Sequence, residues 1–254
     1  MIGAPLPPVL QIGTGVLIFA TGAFLVASHA LLNALAARSA PDNRATRAAP
    51  WLVGGYLAVW LALGLVTGDA ANFAQPQPLT RLLLSVIVGF APMFAAMAFL
   101  FRSRTLRTLN ASMSPDWLIR LQAYRMLGIM LLVPFLAYGV VPAAFAWPAA
   151  VGDFATGLAA PFVASAVARR RPTALAWATA WNLFGILDLL VAPAAAILSN
   201  ARVINHYPLA LVPLFLGPPM GILTHVLSLR NLAITLGRRA SRPTGVPSEA
   251  LGTA

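Results

Sequence analysis

The chain has 254 residues, is 59% hydrophobic and only 9% charged, and has a mean hydropathy of +0.82, whereas an ordinary soluble domain carries about 25% charged residues. Its 17 basic and six acidic residues give a net charge of +11, but they are too few to clothe a soluble surface, so lipid must be the solvent for much of the exterior. Cysteine and lysine are both missing, which excludes disulfides, thiolate metal sites and cysteine nucleophiles.

These properties predict an all-α polytopic membrane protein. Apolar stretches near the ~20 residues that a crossing helix needs run at 10–36, 51–68, 80–101, 120–141, 143–167, 173–198 and 208–230, and we count seven transmembrane helices. The opening "MIGAPLPPVLQIG" has no basic region and no small-residue cleavage site, so the first stretch reads as a retained span. Before the fourth, "SMSPDW" signals a helix start, with Ser114 as N-cap, Pro115 in the first turn and Asp116 against the helix dipole. Between the fourth and fifth, "YGVVPAAFAWP" offers Gly139, Pro142 and Pro148 as turn signals for a tight hairpin. The seventh opens with Pro208, Pro213, Pro218 and Pro219, which interrupt a helix and point it towards a cavity or another helix. Residues 1–239 form one domain, and the Pro-, Gly- and Ser-rich tail 240–254 is expected to be a disordered cytoplasmic extension.

Arginine placement orients the bundle. With loops assigned alternately, 15 of the 17 arginines fall on one side and only Arg81 and Arg202 on the other, so the N-terminus lies outside and the C-terminus in the cytoplasm. Scattered between apolar runs, the arginines describe topology and not a nucleic-acid surface. The arginine-only basic set and the alanine content suit a bacterial chain of GC-rich origin, placed in the inner membrane. Trp51, Trp117 and Trp147 suit interfacial anchoring.

Acidic residues inside spans are costly and mark function. Asp153 lies 16 residues before Arg169 and Asp188 lies 17 after Arg171, which puts both ~25 Å above the arginine-rich floor on consecutive helices. Asp153, Thr156, Gly157 and Ala160 share a small, polar stripe, and Asn182 and Gly185 share another with Asp188 beside it. If the stripes meet, the two carboxylates share a proton, a metal or a substrate cation, with Asn182 and Thr156 as neutral ligands. The plainer alternative makes all of them helix-packing residues.

Accessory groups are read from depth. His29 and His225 lie nine and five residues from Arg38 and Arg230, ~14 and ~8 Å above the floor, a mismatch that counts against a bis-histidine haem. Gln122 and Arg125, at i and i+3, enter from the same end; Arg125 either snorkels to lipid phosphate or turns inward towards the histidines to form a cationic vestibule beneath the acidic site. His206 stands at the outer end of the seventh span, where with Asp153 and Asp188 it would make a divalent-metal set, and Tyr207 beside it is an anchor or a lid. Seven spans with an external N-terminus resemble the rhodopsin plan, but a chain without lysine has no Schiff base for retinal. No phosphate loop, dinucleotide fingerprint, HExxH or nucleophile elbow is present, so soluble-enzyme chemistry has no foothold. The expected function is a small proton- or cation-coupled transporter that binds a small cation or other small molecule. The alternatives are a metal- or haem-dependent membrane enzyme and a non-catalytic subunit of a homo- or hetero-oligomer.

Overall fold

The computed structural model describes residues 33–34, 44–67, 79–133, 136, 139, 141–199 and 217–240. Every regular element among them is helical: α1 (Arg44–Thr67), α2 (Leu79–Arg102), α3 (Arg104–Ser112), α4 (Pro115–Leu121), a 3-10 segment (Gln122–Leu131), α5 (Ala143–Ala168), α6 (Ala174–Leu198) and α7 (Pro218–Ala240). Helices satisfy each backbone group internally, which is what an apolar chain without water requires.

By length and apolarity, α5 and α6 each suffice to cross a membrane, and Ile87–Arg102 with α3 passes as a pair bent by 89°. Two or three helices therefore carry the membrane reading on composition. Of the expected first span, only Asn33 and Ala34, both helical, are described.

α2, α5 and α6 match the expected third, fifth and sixth spans to within a residue. The other elements differ for local reasons. α1 begins seven residues before the expected 51 and takes in Pro50. The expected fourth span is not one α-helix: Ser114 stands at the N-cap position of a short α4 but gives its hydroxyl to the Asp116 carboxylate rather than capping a backbone amide, and the chain then tightens into ten residues of 3-10 helix, far beyond the usual three or four. Pro148 lies within α5, so the turn belongs to Gly139, at φ +60°, and to Pro142, which precedes the helix. α7 starts at Pro218, where a proline costs no hydrogen bond, and runs past the expected end at 230 to Ala240. Pro208, Pro213 and the tail from 241 lie outside the described residues.

At Ser103, whose hydroxyl accepts the Leu106 amide at 3.3 Å, the chain turns into α3. This helix buries Leu109 and Asn110 and exposes Arg104 and Arg107, the pattern of a helix lying at a membrane surface.

Burial is inverted relative to a soluble domain. Phe162 and Leu187 are 71% and 60% exposed, while the interior holds Thr156, Asn182, Asp188, His225, Gln122 and Arg125. Apolar clusters flank this polar interior. Ile119, Ala160, Ala164, Ala178 and Leu232 pack together towards the arginine-rich end of α4 to α7. Val141, Phe145, Ala149 and Ala196 close the other end of the α5–α6 pair. Trp60, Met93, Leu189 and Leu223 join α1 and α2 to its flank.

Candidate functional site

Arg125 is the centre of the polar interior, with 2% of its side chain exposed. Its Nε donates to Asp153 Oδ1 at 2.7 Å, and its Nη2 pairs with Asp188 Oδ2. Its Nη1 reaches His225 Nε2 at 3.0 Å and the Gly185 carbonyl at 3.4 Å. One guanidinium thus joins the 3-10 segment to α5, α6 and α7. Arg125 does not snorkel: two carboxylates and a carbonyl in the interior satisfy its planar donors, and the polar stripes leave room for it.

The tautomer of His225 follows from its partners. A guanidinium has no acceptor, so Nε2 must offer its lone pair and Nδ1 must carry the proton. That proton goes to Asn182 Oδ1 at 2.9 Å, and the amide is oriented by its own Nδ2 donating to the Ala178 carbonyl at 2.7 Å. His225 is a neutral ring with both nitrogens engaged, held on one face by Trp181 at 5.0 Å between centroids. Replacing Asn182 with alanine should orphan the buried Nδ1–H and cost about 1–3 kcal/mol. Thermal unfolding in detergent would show this as a lower midpoint, and Asn182→Asp, which keeps an acceptor, should recover part of it.

The 3-10 winding explains how one segment serves two partners. Residues i and i+3 eclipse in such a helix, so Gln122 and Arg125 stack on the same side. Gln122 Nε2 donates to the Gly221 carbonyl at 3.2 Å and to Thr224 Oγ1, fixing the segment to α7 one turn from His225. Tyr124 lies within electrostatic range of both Arg125 and Asp153.

Missing side chains make the space. A Cβ on Gly157 would stand 2.3 Å from the Met126 amide nitrogen, so the two backbones touch there. A Cβ on Gly185 would meet His225 Nε2 at 2.3 Å and Arg125 Nη1 at 3.1 Å. Gly128 faces Asp153 and Gly152 faces Asp188 in the same way.

Asp153 and Asp188 do stand at one level, as their spacing from the floor predicts, but they meet through an arginine and not through a shared metal. The expected cationic vestibule and acidic site are one cluster, because the depth inferred for His225 is too shallow. Arg230 does not mark the floor: it is half-buried with its guanidinium 5.5 Å above the Phe101 ring, and Leu232 packs with Ala174 and Leu175 beside Arg171. Bonded to Asn182, His225 shares that residue's depth of ~17 Å. Asn182 supports His225 and not the carboxylates. Thr156 Oγ1 is buried with no hydrogen-bond partner among the described residues, while its carbonyl accepts Trp181 Nε1–H at 3.1 Å. His29, His206 and Tyr207, and with them the histidine of the expected metal set, lie outside the described residues. Among the described residues no group of three or more metal-ligating side chains is formed.

Residues 81–233 match the model of a family described as "Domain of unknown function (DUF8737)". The matched stretch takes in Gln122, Arg125, Asp153, Asn182, Asp188 and His225. No curated protein and no solved structure matches the chain.

Proposed function

Because the chain belongs to the DUF8737 family, whose description assigns no activity, its function has to be read from the site itself, and we propose that it is a proton-coupled membrane transporter that exchanges a proton for a small cation at the Asp153–Arg125–Asp188 cluster. One observation carries this: a single buried guanidinium faces two carboxylates, with a neutral histidine as its third partner. With all three ionised, the cluster holds one surplus negative charge. In a low-dielectric interior that surplus demands compensation, and a proton or a bound cation supplies it equally well. Competition between the two for one carboxylate is the minimal device for coupled exchange.

The reading takes the chain as seven spans in an inner membrane with the arginine-rich end cytoplasmic, on the 15-to-two division of arginines. Asp153, the more exposed carboxylate with 19% of its side chain accessible against 8% for Asp188, faces the incoming cation. Arg125 prevents both carboxylates from being neutralised together, since one always remains paired to it.

Proteoliposomes carrying a pH gradient provide the test. A panel of small inorganic and organic cations should include one that accumulates at the expense of the gradient, with Asp153→Asn and Asp188→Asn each abolishing accumulation in folded protein. Accumulation that survives both substitutions would place coupling elsewhere.

A further inference from the structure

Below the cluster, towards the arginine-rich end, α7 carries a second set of polar residues that the exchange chemistry does not use. Thr224, Ser228, Asn231 and Thr235 recur at i, i+4, i+7 and i+11, which puts them on one face of the helix. Ser228 and Asn231 are 1% and 3% exposed. This face runs beside Leu232, four residues on from Ser228, and meets the 110–122 stretch: Thr224 meets Gln122, and Asn231 Nδ2 donates to the Met113 carbonyl at 3.4 Å. The Asn110 carbonyl accepts the amide of Met113, the same residue whose carbonyl Asn231 meets, so Asn110 lies one turn from that contact.

Along this face polar atoms go unanswered. Gln122 Oε1, Ser228 Oγ, Asn231 Oδ1 and both amide atoms of Asn110 are buried without a hydrogen-bond partner among the described residues. Each such group costs free energy comparable to a lost hydrogen bond, and native proteins meet that cost with ordered water. The two threonines differ, since Thr224 and Thr235 bond to carbonyls of their own helix at 2.9 Å. The unanswered atoms form a ladder: Asn110 and Asn231 at the bottom, Ser228 one turn higher, and Gln122 at the top, stacked under Arg125. From Asn231 to His225 the rise is ~9 Å, a distance that three or four hydrogen-bonded waters cover.

We propose that this face of α7, with Asn110 of α3 and Gln122 of the 3-10 segment, is a water-filled passage from the arginine-rich end to the Arg125 cluster, and the path by which its proton leaves. The passage ends at Arg125, a permanent cation that holds back other cations while a proton is relayed through the waters. The proposal rests on the exchange reading of the cluster for what moves along the passage, but the passage itself is a separate structural claim.

A chain without cysteine allows a clean test. Single cysteines at Ser228, at Asn231 and, as a lipid-facing control, at Leu187 are treated with a small membrane-impermeant methanethiosulfonate in vesicles of each orientation. Because the thiolate, which forms only where water reaches it, attacks such a reagent and displaces its sulfinate, the Ser228→Cys and Asn231→Cys proteins should react at least about tenfold faster than Leu187→Cys, and from the arginine-rich side. Adding Asn231→Leu to Ser228→Cys should return its rate to that of the control. Rates no faster than the control, in variants that unfold at the wild-type temperature, overturn the passage. Infrared titration of the two aspartates separates the two claims. Labelling without a titrating carboxyl group supports the passage and defeats the exchange reading; a titrating carboxyl group without labelling does the reverse.

Discussion

Replacing Arg125 with leucine is expected to be the most damaging single substitution in the chain. It leaves Asp153 and Asp188 facing each other in the interior with no counter-ion, and it removes the donor to His225 Nε2. Breaking a buried ion pair by deleting one partner costs about 3–5 kcal/mol, and here two carboxylates lose theirs. Little folded protein should be recovered from membranes. The triple variant Arg125→Leu, Asp153→Asn, Asp188→Asn should fold again, because well-packed neutral groups often replace buried ions with no net loss of stability. Gel filtration and thermal unfolding check both outcomes. Recovery of fold without recovery of transport would separate the clamp's structural role from its chemical one. Arg125→Lys should fall between, since an ammonium cannot reach Asp153, Asp188, His225 and the Gly185 carbonyl from one plane.

The second large effect is expected at Gly157, where the backbones of α5 and the 3-10 segment touch. A Cβ there would lie 2.3 Å from the Met126 nitrogen and 2.9 Å from the Arg125 carbonyl carbon. Neither is the end of a flexible side chain, so the segment itself must move. Gly157→Val should cost at least the about 1–3 kcal/mol of an overpacked core, and it should also pull Arg125 from both aspartates. Thermal unfolding reads the first effect. Loss of transport under conditions where the variant is still folded reads the second. Wild-type stability in Gly157→Val would mean that the close approach is not needed to hold the cluster.

The helical class and the common level of Asp153 and Asp188 were legible from composition and arginine spacing, because a helix rises by a fixed amount per residue. The stripe of Thr156, Gly157 and Ala160 was legible for a similar reason, since small residues at helical spacing mark where helices approach. The role of Arg125 was not. Its partners lie 28, 63 and 100 residues away, and hydropathy does not tell an arginine that snorkels from one that turns inward. A hint lay in its place, five residues deeper than Arg120 in an apolar run. The 3-10 winding was hidden too, because nothing local in "QAYRMLGIML" signals it; the segment meets Gly157 on another helix, a contact the sequence does not display. His225 was placed too shallow because Arg230 looked like a floor marker, whereas a ring in the last turn of α2 holds it half-buried.

The central claim is that the Asp153–Arg125–Asp188 cluster exchanges a proton, and infrared difference spectroscopy of the protein in lipid, stepped in pH, reads it directly. A carboxylic-acid carbonyl band should fade as the pH is raised, change in each of Asp153→Asn and Asp188→Asn because the pair titrates as one unit, and vanish when both are replaced. If the folded protein shows no such band at any pH, both carboxylates are permanently ionised against Arg125, and the cluster is a lock between helices and not a site of exchange.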